Sequence, residues 1–132
     1  MTFADSGAIL ALFFKNDRHH TEANRLWQIL TRPVVISNLA VAELGEAVAR
    51  RAGSRFAADR IAGLYASPSF EVIPSTRVVE LEALVLMRKF ADQRIGFMDC
   101  VSFALMRRRK IKTAFTFDRH FLHAGFHVIG LG

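Results

Sequence analysis

Short apolar runs alternate along the chain with longer segments of helical periodicity. Each run is four to six residues long and is rich in apolar, aromatic or β-branched residues. Runs of this length and composition are typical of strands buried in a sheet. The sequence therefore predicts five strands, at residues 2–5, 34–37, 70–73, 112–117 and 126–131.

Between these runs apolar residues recur every three to four positions, which predicts helices. In the longest of these segments Leu81, Leu84, Val85 and Arg88 follow that step. The predicted helices cover residues 7–14, 20–31, 39–52, 54–68, 75–90 and 97–109. Polar residues that can cap a helix stand at the start of four of them: Ser6, Asn38, Ser54 and Ser75.

Strands separated by helices indicate parallel pairing through right-handed crossovers. The predicted fold class is therefore α/β, a three-layer α/β/α sandwich with a five-stranded, mainly parallel sheet. In such sheets ligands bind beyond the carboxyl ends of the strands, where the strand order reverses. Functional residues are thus expected at that edge.

Length and composition predict one domain spanning residues 1–132, without internal repeats or Gly/Ser linkers. No apolar run approaches the ~18–20 residues that cross a bilayer, and the first residues lack the features of a signal peptide. The one cysteine, Cys100, cannot form an internal disulfide and is expected to be a small buried hydrophobe. A cytoplasmic location is expected.

Four acidic residues stand at the ends of apolar stretches. Asp5 and Asp118 each follow a predicted strand, while Glu43 and Asp99 lie near the starts of predicted helices. Any one of them could simply complement a helix N-terminus. Together at one edge they form a set of hard oxygen ligands that suits Mg²⁺ or Mn²⁺, and such an ion supports hydrolysis of a phosphodiester.

The charge balance favours a polyanionic substrate. The formal net charge is +6, and setting aside the four acids leaves eight acidic residues against 18 Lys and Arg. A basic exterior around an acidic site is suited to nucleic acid, although net charge also keeps small proteins soluble. The densest basic run comprises Arg107, Arg108, Arg109 and Lys110. It either complements a helix C-terminus or contacts RNA phosphates. In the second case further basic residues would take part: Lys15, Arg18, Arg50 and Arg51.

The acidic residues and their neighbours resemble, in order and spacing, the four acidic motifs of PIN-domain nucleases. The matching segments are Asp5-Ser6-Gly7, Glu43 within residues 37–44, Asp99 within residues 96–100, and residues 116–121 around Asp118. The resemblance covers the whole chain. Its size and its closing Asp118-Arg119-His120-Phe121 segment resemble the VapC toxins of bacterial type II toxin–antitoxin pairs.

This resemblance implies a Mg²⁺- or Mn²⁺-dependent endoribonuclease that cuts structured RNA, such as tRNA or rRNA, and is inhibited by a VapB-type antitoxin. It implies that Asp5 and Asp99 are the principal metal ligands and that Glu43 and Asp118 complete the catalytic pocket, directly or through water. Ser6 and Thr116 are implied as supporting residues. A homodimer is expected.

The sequence leaves other functions open. A noncatalytic RNA-binding module of the same fold and a housekeeping RNA-processing nuclease are the main ones. A receiver or aspartyl phosphatase is disfavoured, since Gly7 stands where the phosphatase needs a second Asp. A zinc site at His120, His123 and His127 is disfavoured because Gly125 interrupts the helix that would align them.

Overall fold

The protein is built on a five-stranded sheet. In the computed structural model, which describes residues 1–131, all strand pairs are parallel. The predicted fold class is therefore confirmed, and every predicted strand is present, three of them shorter at an end. The strands are β1 (Thr2–Ala4), β2 (Val34–Ser37), β3 (Phe70–Ile73), β4 (Thr113–Phe115) and β5 (His127–Ile129).

The strand order is β3-β2-β1-β4-β5, so the first strand is central. The chain builds outward from β1 to β3, then crosses back to place β4 on the other side of β1. Phe3 pairs with Ala114, and Ala4 pairs with Phe115. Because the register is even, the residues that follow β1 and β4 leave the sheet side by side at the point where strand order reverses.

The helices occupy the predicted segments with shifted ends. Predicted helix 20–31 stops at Trp27, and the helix predicted from residue 75 starts at Arg77. A 3-10 turn (Ala91–Gln93) and a one-turn helix after β4 were not predicted. The helices are α1 (Ser6–Phe13), α2 (His20–Trp27), α3 (Asn38–Ala52), α4 (Ser54–Ala66), α5 (Arg77–Lys89), α6 (Phe97–Arg109) and α7 (His120–His123).

The predicted caps are wrong by one residue at two helices. Ser37, not Asn38, caps α3, and its hydroxyl oxygen accepts a hydrogen bond from Ala40 N at 3.1 Å. Thr76, not Ser75, caps α5. Adjacent polar residues can all cap, and the one that keeps an extended backbone takes the role.

The two other predicted caps, Ser6 and Ser54, lie inside their helices. Asp5 precedes α1 and Gly53 precedes α4, and neither makes a side-chain capping bond. Ser6 is therefore free to use its hydroxyl elsewhere.

Both faces of the sheet are covered by helices. On one face Phe3, Val35 and Ala114 pack against α5, α6 and α7. On the other, Ala4 and Val34 pack against α1 to α4. Successive strand residues point to opposite faces, so strands covered on both sides are continuous apolar runs.

The outer face of α5 is apolar. Val79 and Leu86 face the core, whereas Val78, Leu81 and Val85 are 58%, 51% and 61% exposed. The periodic set read from the sequence in this segment therefore lies on the solvent side. Among residues 1–131, no helix has the length and apolar character to cross a membrane.

Candidate active site

All four predicted acidic residues line one cavity at the carboxyl edge of the sheet. Its volume is about 1000 Å³. Asp5 and Asp118 reach it from the ends of β1 and β4, while Glu43 and Asp99 reach it from α3 and the first turn of α6. The convergence expected from the sequence is thus present.

Asp5 sits at the centre of the acidic group. Its backbone N–H donates to Phe115 O at 3.1 Å, and one carboxylate oxygen accepts from the Thr116 hydroxyl at 2.9 Å. Burial above all, and then the charges of Asp99, Asp118 and Glu43, raise the pKa of this carboxyl to about 7 against the lowering effect of the Thr116 hydrogen bond. Without a cation, Asp5 is poorly tolerated as an anion.

Thr116 makes hydrogen bonds to two of the four acidic residues. Its hydroxyl donates to Asp5 and accepts from the backbone N–H of Asp118 at 3.0 Å. The residue is fully buried, and its own N–H donates to Ile129 O at 3.1 Å. The chain passes so close here that a Cβ on Gly130, at φ +134°, would lie 2.2 Å from Thr116 O. Glycine is therefore required at position 130.

Asp99 is held by a histidine. Its side chain is 17% exposed, and Oδ2 lies 2.9 Å from His120 Nδ1. Burial raises the pKa of Asp99, the hydrogen bond from His120 lowers it, and the charge of Asp118 raises it. The Asp99 carboxylate is thus desolvated but fixed in direction.

His120 contacts both Asp99 and Asp118. Its backbone N–H donates to Asp118 Oδ1 at 2.9 Å, and Nδ1 is 3.4 Å from Asp118 Oδ2. One potential ligand atom from each of these three residues lies within 4.8 Å of the other two. Within the described residues this is the one group of His, Cys, Asp and Glu with such geometry, while His123 and His127 are exposed elsewhere.

Sequence reasoning missed His120 as part of the acidic site. The sequence places His120 in the Asp118-Arg119-His120-Phe121 segment and in a disfavoured zinc set with His123 and His127, but predicts no contact of its ring with the acids. The available signal was local: a backbone N–H two residues after Asp118 can close a turn onto that carboxylate, which aims the side chain of His120 at the site.

Glu43 is the most open of the four acids. It lies on an exposed part of α3 and accepts a hydrogen bond from the hydroxyl of Ser6. Ser6 is buried in the first turn of α1, directly after Asp5. This short contact positions Glu43 beside the more buried acids.

Leu10, Asn16 and Asp17 also line the cavity, and so do five aromatic or basic side chains. They come from the connection between α1 and α2, from the end of α3 and from the residue before Asp118. The sequence singled out Arg18 and Arg51 as basic residues, but not the aromatic ones. These residues are Phe14, Arg18, His19, Arg51 and Phe117, hereafter the aromatic-basic wall.

The predicted basic run lies away from this cavity, at the opposite end of α6 from Asp99. Arg108 pairs with Glu82 at 3.0 Å and Arg109 with Glu71 at 3.1 Å. None of the run lines the acidic cavity. RNA contact by Arg107, Arg108, Arg109 and Lys110 stays a prediction.

The donor set fits a hard divalent cation. The neighbouring carboxylates raise the pKa of Asp5 and of Asp99, and among the described residues no Lys or Arg side chain donates a hydrogen bond to any of the four acids. Oxygen ligands with mutual repulsion are the environment that Mg²⁺ or Mn²⁺ relieves.

The chain is similar to known proteins over almost its whole length. Residues 2–127 match the PIN domain family model. The 23S rRNA-specific endonuclease VapC20 of Mycobacterium tuberculosis is 33% identical over 126 residues, covering 96% of this chain and 95% of that protein.

The folds also agree. The crystal structure of M. tuberculosis VapC20, described as a Sarcin-Ricin loop cleaving toxin, superimposes with a TM-score of 0.88 at 32% identity over 96% of each chain. FitAcB from Neisseria gonorrhoeae gives a TM-score of 0.74 at 21% identity, covering 98% of this chain and 96% of that one. A toxin–antitoxin complex from Klebsiella pneumoniae gives 0.71 at 12% identity, with the same coverage. These last two likenesses concern the fold.

Proposed function

The chain belongs to the PIN-domain family, and we propose that it is a Mg²⁺- or Mn²⁺-dependent endoribonuclease, the toxin of a type II toxin–antitoxin pair. One observation carries the proposal: Asp5, Glu43, Asp99 and Asp118 line a single cavity, where burial and then the repulsion of the other carboxylates raise the pKa of Asp5 to about 7. A noncatalytic module has no need of a cluster that disfavours its own ionisation.

Asp5 and Asp99 are the proposed principal metal ligands, with Glu43 and Asp118 completing the site directly or through water. When bound, the ion would supply a more acidic water and would screen the negative charge of the phosphodiester. The metal also offsets the repulsion that the carboxylates otherwise exert on one another.

The protein's own groups orient these ligands. The Thr116 hydroxyl directs an oxygen of Asp5, and His120 Nδ1 directs an oxygen of Asp99. Ser6 does the same for Glu43. Fixed carboxylates need little reorganisation when substrate and ion arrive, which is how neighbours of metal ligands contribute to activity.

Structured ribosomal RNA is the proposed substrate. Support comes from the 33% identity with VapC20, whose name states that it is specific for 23S rRNA, and from the formal net charge of +6 of the whole chain. We place the activity in the cytoplasm, where such RNA is found.

The first experiment is cleavage of bacterial ribosomes and of purified tRNA by the full chain. We expect cleavage of the large-subunit rRNA with Mg²⁺ or Mn²⁺, no cleavage in EDTA, and none by Asp99→Asn with Mg²⁺. Cleavage of tRNA but not of rRNA would show that tRNA is the substrate, and it would leave the proposed metal-dependent hydrolysis unchanged. Binding of RNA without cleavage in either metal would favour the noncatalytic module.

A VapB-type antitoxin is the proposed inhibitory partner. Expression of the chain is expected to arrest growth, and coexpression of a small protein encoded next to it is expected to restore growth. Growth unaffected by an active enzyme would favour a housekeeping RNA-processing role.

A homodimer is proposed through the outer face of α5. Val78, Leu81 and Val85 form an apolar stripe there, and a two-fold axis would bury the same stripe on both copies. Light scattering after size exclusion should give twice the monomer mass for the native chain and the monomer mass for Leu81→Glu. Tyr65→Glu, an exposed position on α4, is the matched control. A monomeric native chain would contradict the dimer.

A further inference from the structure

The aromatic-basic wall forms one side of the cavity whose other side carries the carboxylates. Its members come from separate parts of the chain but all line the same cavity of about 1000 Å³. The site derived so far uses only the acidic side. The aromatic and basic side therefore has a role still to be assigned.

A pair of stacked aromatic rings joins the α1–α2 connection to the residue before Asp118. The rings of His19 and Phe117 lie 4.3 Å apart between centroids and 3° from parallel. Both residues are partly exposed, so the stack is accessible from the cavity. Phe117 directly precedes Asp118, hence this aromatic surface begins one residue from a carboxylate of the site.

Two guanidinium groups line the same cavity as the stack. Arg18 Nε donates to His19 Nε2 at 3.1 Å, and the Arg18 side chain is exposed. Arg51 lies over the ring of Phe14, 5.2 Å from its centroid, with its side chain 46% exposed. Each guanidinium thus keeps donors that face solvent or a ligand.

The connection that carries His19 is fixed by its own hydrogen bonds. Asp17 accepts from His19 N at 2.9 Å and lies 3.6 Å from Arg51. His20 Nδ1 is 2.7 Å from Ala11 O, which ties the start of α2 to α1. The wall is therefore organised before any ligand binds, and binding needs little ordering of the chain.

We propose that this wall binds a nucleotide of the RNA next to the bond that is cut. Its base stacks on the aromatic surface of His19 and Phe117, and its phosphates contact Arg18 and Arg51. The inference rests on the proposed function, since it assigns the substrate side of the same site. Stacking on an aromatic side chain accepts any base, and guanidinium groups match phosphate geometry.

The position of the wall argues for a nucleotide. A ligand spanning the cavity meets the carboxylates at one side and two guanidinium groups with a flat aromatic surface at the other, where Asp17 offsets part of the charge of Arg51. A phosphodiester chain supplies the matching groups: phosphate for the cations, a base for the stack, and a second phosphate for the metal side. Acidic residues alone would repel that chain, so the cations also offset this repulsion.

The test measures RNA binding in EDTA, where no cleavage occurs. The probes are single-stranded RNA octamers that carry a 2-aminopurine, together with octamers in which an abasic residue replaces each position in turn. Stacking is expected to quench the 2-aminopurine fluorescence. His19→Ala should weaken binding roughly 5- to 150-fold, the range found for loss of one stacked base.

Matched variants separate stacking from folding and charge. His19→Phe should restore binding, because it keeps a ring against Phe117. Arg18→Gln and Arg51→Gln should weaken binding, whereas Arg55→Gln, exposed on α4 and outside the cavity, should not. Abasic substitution should weaken binding to the native chain at one position, and His19→Ala should remove that sensitivity.

The inference and the proposed function fail differently. If the native chain cleaves RNA with Mg²⁺, while His19→Ala and Arg51→Gln keep native KM and affinity, the nucleotide site is wrong and the nuclease stands. If no abasic position affects binding to an active native chain, the stacking surface is likewise overturned. If the native chain neither binds nor cleaves RNA, both are wrong.

Discussion

The two sides of the cavity differ in how they are held. Contacts between distant parts of the chain fix the acidic side, and Thr116 reaches Asp5 across 111 residues. The aromatic-basic wall combines a local contact, from His19 N to Asp17 two residues away, with the stack of His19 on Phe117 and the contact of Arg51 with Phe14. The carboxylates therefore depend on β1 and β4 lying side by side, whereas three of the five wall residues come from one connection.

The two sides are therefore expected to affect different steps: the acidic side the rate of cleavage, and the aromatic-basic wall the binding of RNA. Residues that hold a metal act most strongly in the transition state, and residues that hold RNA act in both the bound and the transition state. Substitutions on the two sides should consequently change different kinetic constants. Four measurements test this division.

The largest effect is expected for Asp99→Asn. Loss of a principal metal ligand removes several kcal/mol of charge stabilisation, which lowers kcat by about 10³-fold or more. Single-turnover cleavage at saturating protein measures this loss. Arg18→Gln, on the other side, should raise KM with kcat nearly unchanged. Equal effects of both variants on kcat would contradict the division.

A large effect on stability is expected for Asp5→Asn in EDTA. The raised pKa of Asp5, about 7 against its ordinary 3.8, means that the folded protein binds more protons than the unfolded chain between these pH values. The free energy of unfolding therefore falls as pH rises from 3.8 to about 7, by on the order of 3–4 kcal/mol. Asp5→Asn should remove this fall.

Chemical denaturation at pH 4 and pH 8 is the measurement. The variant should match the native chain at pH 4 and exceed it at pH 8, since asparagine still accepts the Thr116 hydrogen bond. Mg²⁺ should stabilise the native chain at pH 8 but not the variant. A native chain equally stable at both pH values in EDTA would contradict the burial of an unfavourable anion.

An intermediate effect is expected for His120→Ala. The variant leaves Asp99 without the donor that directs its carboxylate, and residues in this role change metal affinity by roughly 10- to 100-fold. Calorimetric titration with Mn²⁺ measures the change. His123→Ala, an exposed histidine on the same helix, is the control and should retain native affinity.

The smallest expected effect is on the salt dependence of RNA binding. Each phosphate contact with single-stranded RNA contributes about −0.7 to the slope of log K against log salt concentration. Arg18→Gln and Arg51→Gln should each make that slope shallower by about this amount, and Arg55→Gln should leave it unchanged. A slope unaffected by the two wall variants would place the phosphate contacts elsewhere on the surface.

The sequence allowed prediction of most of the fold and of the acidic side. Strands such as Val34–Ser37, buried along their whole length, stand out as continuous apolar runs. Once Asp5 and Asp118 are known to follow parallel strands, geometry brings them to one edge. The periodicity of α5 gave its helical state but not which side faces the core, because both sides carry apolar residues.

The aromatic-basic wall and His120 could not be predicted in the same way. His19 and Phe117 meet only because the α1–α2 connection folds back over the end of β4, a contact without a local signal. A stacked aromatic pair also requires no regular spacing of residues along the chain, so it leaves no pattern in the sequence. His120 depends on a turn closed by a side chain, which residue spacing alone does not specify.

The connection between α1 and α2 has an evolutionary consequence. It contributes Phe14, Arg18 and His19 within six consecutive residues, while none of the four acids belongs to it. At this proposed nucleotide site a short insertion or replacement is expected to alter RNA binding without disturbing hydrolysis. PIN-domain proteins are then expected to diverge in RNA preference by exchanging one surface segment, and a chimera that carries a relative's segment is expected to inherit its preference.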